Sequence, residues 1–539
     1  MAITAKKTHI YLIILVAVSA CLFFSKLGDM PLTDPDESFY AETAKEMLQA
    51  GEWSTPIIFG EPQFEKPVLF YWLVMIGYLV FGIGEFAARF PSALFGLAGV
   101  IGVFLLGRKL FSSFTGFISA VIMATCLEYA ALARACVTDM VLTVTILYSV
   151  LFFVLAWDKR KVPYYVLSAI MAALAVLTKG PIGIMVITVA VGAYVLPLRD
   201  RRRLKEVPWV LCSAVFLVTA LPWYITAYVL HGSVFIDEFF GFHNVTRFLV
   251  PEHRIGASPF FYIPVVIGGF FPWSFFLPVA FSDMYRGRKD PDAAERPCRV
   301  FLSVWILFVL LFFSASSTKL VTYIFPIFPA LALVTGRYIA RYLIAAEVGI
   351  LPKGFKWSYA VTLGASVVGA IAGLVLLRSE YGYIHVGAIA AATVFILGLG
   401  ASLALFARGR MFYSIMAVAG AIALAGVIMV GTVMPVIGEA ESSRELSITV
   451  NEMASPSEEL GGESDHRRGI AFYTGRTDIK DIHRFEDRNE FFKSAGRVWG
   501  IVKRKHYESL KQFVPGHISE PIAECGNDVL LTNKPAAAE

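Results

Sequence analysis

Residues 67–82 read PVLFYWLVMIGYLVFG, and whether this stretch crosses a membrane decides how the rest of the chain is threaded. It is apolar enough to cross. It is also short of the roughly 20 residues a bilayer demands, and it is rich in Phe, Tyr and Trp, which favour the interface. The charges downstream decide the matter. Arg108 with Lys109, Lys159 through Lys161, Arg199 through Lys205, Arg286 through Arg299, Arg337 with Arg341, and Arg408 with Arg410 separate successive apolar runs. Cytoplasmic loops collect Lys and Arg. With Lys6 and Lys7 inside, each cluster falls inside only if 67–82 stays on the outer side, so this segment is predicted to be a helix lying against the outer membrane face.

Composition agrees with a membrane protein. Of 539 residues, 57% are hydrophobic and 17% charged, and the mean hydropathy is +0.65. Soluble domains sit at about 45–50% apolar and about 25% charged. Apolar runs near 9–25, 86–106, 111–132, 140–156, 163–178, 181–198, 207–229, 260–281, 300–314, 320–336, 357–377, 383–406 and 411–434 give thirteen expected spans. The first run is read as a span and not a cleaved signal: VSAC at 18–21 resembles a lipoprotein box, but the apolar run continues past Cys21 as LFF. The six cysteines show no metal or redox spacing and no disulfide framework. The net charge of +5 gives no indication of a nucleic-acid partner.

Two regions lie outside this apolar core. The loop at 26–85 holds DPDESFY at 34–40 and QFEKP at 63–67. An amphipathic helix is expected at 36–50, with Tyr40, Ala44, Met47 and Leu48 on one face and Gly51 ending it. After Pro435 the chain turns charged. Strand-like IAFYTG (470–475) and RVWGIV (497–502) alternate with helical FEDRNEFFKSA and HYESLKQF, so 435–539 is read as a small outer α/β domain on a membrane domain, 1–434.

On this threading the outer loops carry Lys66, Arg134, Lys179, Arg247, Arg254 and Lys319, against the usual charge bias. Each raises the question of which anion it meets. Pro67 is a natural first helical residue, so Lys66 stands by a helix's positive end, where lysine suits the holding of a phosphate. The structural alternative is pairing with Glu65 or snorkelling to the headgroups. Asp36 fits the first turn of a Thr33–Asp36 capping box, which alone would account for it. Asp139, in RACVTDM, is either a functional carboxylate or the ion-pair partner of Arg134. His243 and Arg247 stand at i, i+4 in GFHNVTRF; Glu85 and Arg89 share that spacing and read as a structural pair.

In order along the chain, DESFYAETAKEML, PQFEKPVLFYWL, EFAARFPSAL, LARACVTDM, LTKGPIG, FHNVTRF, FYIPVVIGGFFPWSFFLP and STKLVTYIFPIFPALAL resemble the lipid-carrier-dependent GT-C glycosyltransferases. They look most like the aminoarabinose transferases that modify lipid A, within the protein mannosyltransferase superfamily. The resemblance covers about residues 10–340. It implies a polytopic α-helical GT-C fold of thirteen spans with interfacial helices in the first outer loop, in a bacterial inner membrane, with the N-terminus cytoplasmic and the site periplasmic. It implies a polyprenyl (undecaprenyl) phosphate-linked sugar donor and a lipid or glycan acceptor. By motif position, Asp36 and Asp139 would be the essential cavity carboxylates. Lys66 would hold the carrier phosphate, near Tyr323. Glu37, Arg247, Lys179 and Lys319 would contact substrate, and Glu65 with His243 would bind a divalent metal such as zinc. Two departures are visible: Phe39 replaces the Arg of the family's DETRY motif, and Gln63 replaces the Tyr of its PYFEKP. They bear on which sugar and acceptor are used.

Three other readings are open at this stage, one of them a non-catalytic membrane scaffold whose outer domain does the binding, which leaves the outer cations unexplained. A protein O-mannosyltransferase-like enzyme would share the donor chemistry and differ in acceptor. A transporter or flippase of the lipid-linked sugar would place ionisable residues mid-span and show inverted repeats, and neither is evident here.

Overall fold

A computed structural model of the chain describes residues 2–198, 200–250, 258–286, 295–347, 349–513 and 518–533. Among them, nine helices are long and apolar enough to cross a membrane. A tenth candidate is the pair Tyr262–Gly269 and Trp273–Tyr285, bent by 110°. Shorter apolar helices, Thr8–Phe24, Ser113–Thr125 and Ile182–Leu198, occupy the remaining positions where hydropathy predicts spans. This is a multi-pass, mostly helical membrane protein.

Leu69–Phe81, the helix from the opening stretch, begins two residues after Pro67, with Val68 at its N-cap. It does not carry the chain across. Arg89, at the start of the helix Glu85–Leu110, grips both oxygens of Glu37 at 2.8 and 2.6 Å. Leu69–Phe81 is the only apolar helix between those two residues, so its ends must lie on one side. The Cys136 amide, reached after Ser113–Thr125 returns the chain, donates to Glu37 at 2.8 Å.

The loop helix Asp36–Ala50 forms where its pattern predicts, and Gly51 closes it with φ +67°, a conformation that costs glycine little. Its start differs from a capping box. Thr33 donates through its amide and hydroxyl to Glu37, both at 3.0 Å, so Glu37 and not Asp36 reaches back to that threonine. Asp36 is left without a capping duty.

In the C-terminal unit the strands run Lys480–Asp481, Glu459–Gly462, Val498–Lys503, Asp528–Thr532 and Ala523–Cys525 across one sheet. The first three are parallel, and the last two pair antiparallel with their neighbours. One expectation fails here. IAFYTG at 470–475 falls largely in the helix Arg467–Thr474, not in a strand. Ile470 and Ala471 enter the core of the sheet unit while Phe472 joins the core of the membrane part, so a helix serves two partners where a strand would face one of them.

That helix docks on the first loop. Lys45 is buried and donates to its terminal carbonyls, Ala471 at 3.0 Å, which also accepts from the Gly475 amide, and Phe472 at 2.9 Å, placing a cation at the helix's negative end. Tyr473 accepts from the Leu32 amide at 2.7 Å and donates to Glu85 at 3.3 Å. Gly469 allows the closest approach: a Cβ there would stand 2.4 Å from the Asp34 carboxylate.

Candidate active site

Five loop or helix-end segments converge beneath this docked unit. Helix Val162–Lys179 ends at Gly180, whose φ of +79° turns the chain, leaving Lys179 at the mouth of the bundle. Asp139 lies in the first turn of Thr138–Lys159 and accepts from Lys179 at 2.6 Å. The Lys179 ammonium stands 5.1 Å over the Tyr323 ring. Glu65 is shared by two cations, Arg247 at 3.0 Å and Lys66 at 3.3 Å, and Arg247 is 3.5 Å from His243 Nδ1. Gln63 accepts from the Glu65 amide at 2.9 Å and donates to Tyr71 at 2.8 Å, bracing this turn.

Glu65, Lys66, Lys179, His243, Arg247 and Tyr323 line one cavity of about 430 Å³. Its other walls are apolar and aromatic, with Ile182, Met185, Phe239, Phe248, Phe312 and Phe313. A polar end and a greasy body suit a charged headgroup on a hydrocarbon tail. The electrostatics point the same way. Burial lowers the pKa of Lys66, Glu65 opposes that, and Lys179 and Arg247 crowd it further down. Burial would raise Glu65, but Lys66 and Arg247 hold its carboxyl down to about 2. An anion entering among these cations relieves their mutual repulsion.

Asp36 makes no hydrogen bond or ion pair among the described residues, and its surface is accessible. The protein still crowds it: that enclosure, then the charges of Asp139 and Glu65, raise its pKa, while Arg468 and Lys179 work against the rise.

A family model described as dolichyl-phosphate-mannose-protein mannosyltransferase matches residues 65–225. The undecaprenyl phosphate-alpha-4-amino-4-deoxy-L-arabinose arabinosyl transferase of Aeromonas salmonicida is 30% identical over 389 residues, 69% of this chain and 68% of the relative. The chain belongs to the GT-C glycosyltransferases, beside the aminoarabinose transferases. The same-named protein of Erwinia tasmaniensis is 30% identical over 384 residues, 70% of this chain and 66% of its own length. Five of the curated relatives are matched over only 59–66% of their length. The crystal structure of ArnT from Cupriavidus metallidurans bound to undecaprenyl phosphate shares the GT-C fold, with a TM-score of 0.80 at 22% identity over 98% of this chain and 99% of that one.

Several expected site residues of this GT-C chain stand elsewhere. Glu37 does not line the cavity: it is buried in the Arg89 ion pair and accepts from the Thr33 and Cys136 donors. Glu85 therefore does not pair with Arg89; it meets Tyr473 and, at 3.8 Å, Arg444. Lys319 does not line the cavity. It is buried and donates to the Ser316 carbonyl at 2.7 Å. Arg134 does not pair with Asp139 but caps the helix Thr8–Phe24, donating to the carbonyls of Leu22 and Phe23, both at 3.0 Å. Arg254 lies outside the described residues. Conversely, Arg468 reaches the Asp36 side of the site, and no motif marks it within the charged run HRRG at 466–469.

Glu65 and His243 share the cavity, but their arrangement does not fit a divalent metal. The Glu65 oxygen nearest His243's neighbour Arg247 already serves two cations, and among the described residues no third His, Cys, Asp or Glu completes a ligand set. A metal taking that oxygen would have to displace both basic side chains. The expected result is that EDTA treatment and metal-free buffer leave turnover of the purified protein unchanged. Loss of activity restored by added zinc would show that the carboxylate changes partners in solution.

Proposed function

We propose that the protein transfers a sugar, of the 4-amino-4-deoxyarabinose type, from undecaprenyl phosphate to an outer-face acceptor of the bacterial inner membrane, lipid A or another envelope lipid or glycan. The observation that carries this reading is the crowding of Lys66 by Lys179 and Arg247 at the polar end of an aromatic cavity. The names of the relatives supply the donor class. The threading that goes with it has a cytoplasmic N-terminus and a periplasmic site, with residues 1–434 carrying the chemistry and 435–539 standing over it.

In the reaction, the bond between the anomeric carbon and the carrier phosphate breaks as an acceptor oxygen bonds to that carbon. Charge builds on the departing phosphate. Lys66 and Arg247, preorganised by Glu65, would stabilise it, and Tyr323 with Lys179 closes the same end. Asp139 fixes the Lys179 ammonium. Asp36 serves the acceptor side: it deprotonates a hydroxyl acceptor or, where the acceptor is a phosphate needing no base, pairs with the sugar amine. Either task needs its ionised form.

Lys66→Ala is expected to lower consumption of undecaprenyl-phosphate-linked aminoarabinose by about 10²–10³-fold, the cost of losing one such donor of charge stabilisation. The measurement is donor turnover by full-length protein in proteoliposomes, with the product identified by mass spectrometry. Unchanged turnover in the variant, or wild-type protein that moves the donor across the bilayer intact, sinks the reading. The mannosyltransferase family match favours a second possibility, a protein acceptor, which a sugar-modified polypeptide among the products would reveal.

A further inference from the structure

Arg468 is carried by the docking helix Arg467–Thr474, outside the membrane part that holds the cavity. Its guanidinium stands over Phe39 with its carbon 4.5 Å from the ring centroid. Phe39 is three residues beyond Asp36 on the loop helix Asp36–Ala50, so both lie on one helix face and the cation stands over the face that presents the carboxylate. Its neighbours on the docking helix are committed elsewhere: Arg467 donates to the Ile479 carbonyl at 2.7 Å and lies over Phe59, and His466 stands 3.6 Å from Asp34 and 3.4 Å from Asp528. Arg468 alone of this run has no hydrogen bond or ion pair among the described residues. The helix beneath it is held rigidly by Lys45, Tyr473 and the Gly469–Asp34 approach.

The cations of the cavity wall, Lys66, Lys179 and Arg247, serve the carrier end and are engaged by Glu65 and Asp139. Arg468 is not part of that wall. Asp139 and Glu65 are neutralised by those cations, which leaves Asp36 as the carboxylate on the Arg468 side with no ion pair among the described residues. An acceptor that brings a negative group beside Asp36 is repelled unless a fixed cation meets it, and a guanidinium held over an aromatic ring with its donors unspent can offer them to a phosphate or carboxylate.

We propose that Arg468 binds an anionic group of the acceptor beside Asp36, so that the C-terminal unit supplies part of the acceptor site. This rests on the transferase reading above. It gives the docked helix a task that its packing alone does not require.

The test is steady-state kinetics of the full-length protein in proteoliposomes, with undecaprenyl-phosphate aminoarabinose as donor and either phosphorylated lipid A or its chemically dephosphorylated form as acceptor probe. Arg468→Gln should raise the KM for phosphorylated lipid A about tenfold or more and leave the donor KM unchanged, with wild-type thermal stability. Arg468→Lys should recover most of the loss, and Arg468→Met, which keeps the stacked stem, should not. Wild type should prefer the phosphorylated probe. An unchanged acceptor KM, a raised donor KM, or equal loss in the Lys and Met variants overturns the assignment. Wild-type protein that consumes no donor at all overturns the transferase reading and this inference with it, which is a different result from an active enzyme indifferent to Arg468.

Discussion

Asp36→Asn should cut kcat by about 10²–10⁴-fold, the range for loss of a positioned general base, while leaving binding of undecaprenyl phosphate intact. The side chain is free to act: Glu37 takes the Thr33 donors that would otherwise have tied Asp36 into a cap. Its partners are electrostatic. Enclosure by the protein, then Asp139 and Glu65, raise its pKa, and Arg468 and Lys179 oppose this. The sign of the pH effect follows. Base action and amine pairing both need the carboxylate, so activity is full above the raised pKa and falls as pH drops through it. The acid limb of the kcat/KM profile should therefore sit above the ordinary aspartate range near 3.9. An Asn variant with wild-type turnover, or an acid limb at the ordinary position, rules out this role.

Glu37→Gln should be the most destabilising single change in the first loop, by about 3–5 kcal/mol, because it leaves the buried Arg89 guanidinium uncompensated. Arg89 is 2% exposed and also donates to the carbonyls of Leu27, Met30 and Pro31, so its charge has no route to water. Burial pushes the Glu37 pKa up, but the Arg89 charge and the Arg89, Cys136 and Thr33 hydrogen bonds bring it below the usual value. A lowered folded-state pKa means the pair stabilises fully above the ordinary glutamate range. That contribution disappears as pH falls through the lowered value. The measurement is thermal unfolding of the variant in detergent, together with titration of undecaprenyl phosphate. Intact stability with lost lipid binding would return Glu37 to the substrate site.

Local sequence was a good guide wherever the deciding forces were local. The loop helix ends at Gly51 because a left-handed residue is needed there, and the spans follow from apolar length. The cavity residues Lys66, Glu65, Lys179, His243, Arg247 and Tyr323 were all legible, some as cations on the wrong side of a membrane and the rest by motif resemblance. Apart from the adjacent Lys66–Glu65 pair, pairings were not legible. Arg134 is five residues from Asp139 yet turns away to cap another helix, and Arg89 passes over Glu85 for a carboxylate 52 residues earlier. Spacing names candidates, but a buried charge takes whichever partner the fold brings within reach at the least desolvation cost.

By itself, then, the chain's sequence determined that it is threaded many times through a bilayer and that acidic and basic residues gather on one side. Hydropathy and charge bias act residue by residue and need no knowledge of neighbours. Charge bias also kept Leu69–Phe81 on that side, but only the tertiary structure decided that IAFYTG is helical and that Arg468 from the last hundred residues stands over Phe39. Those outcomes depend on contacts between segments hundreds of residues apart, which no local pattern encodes.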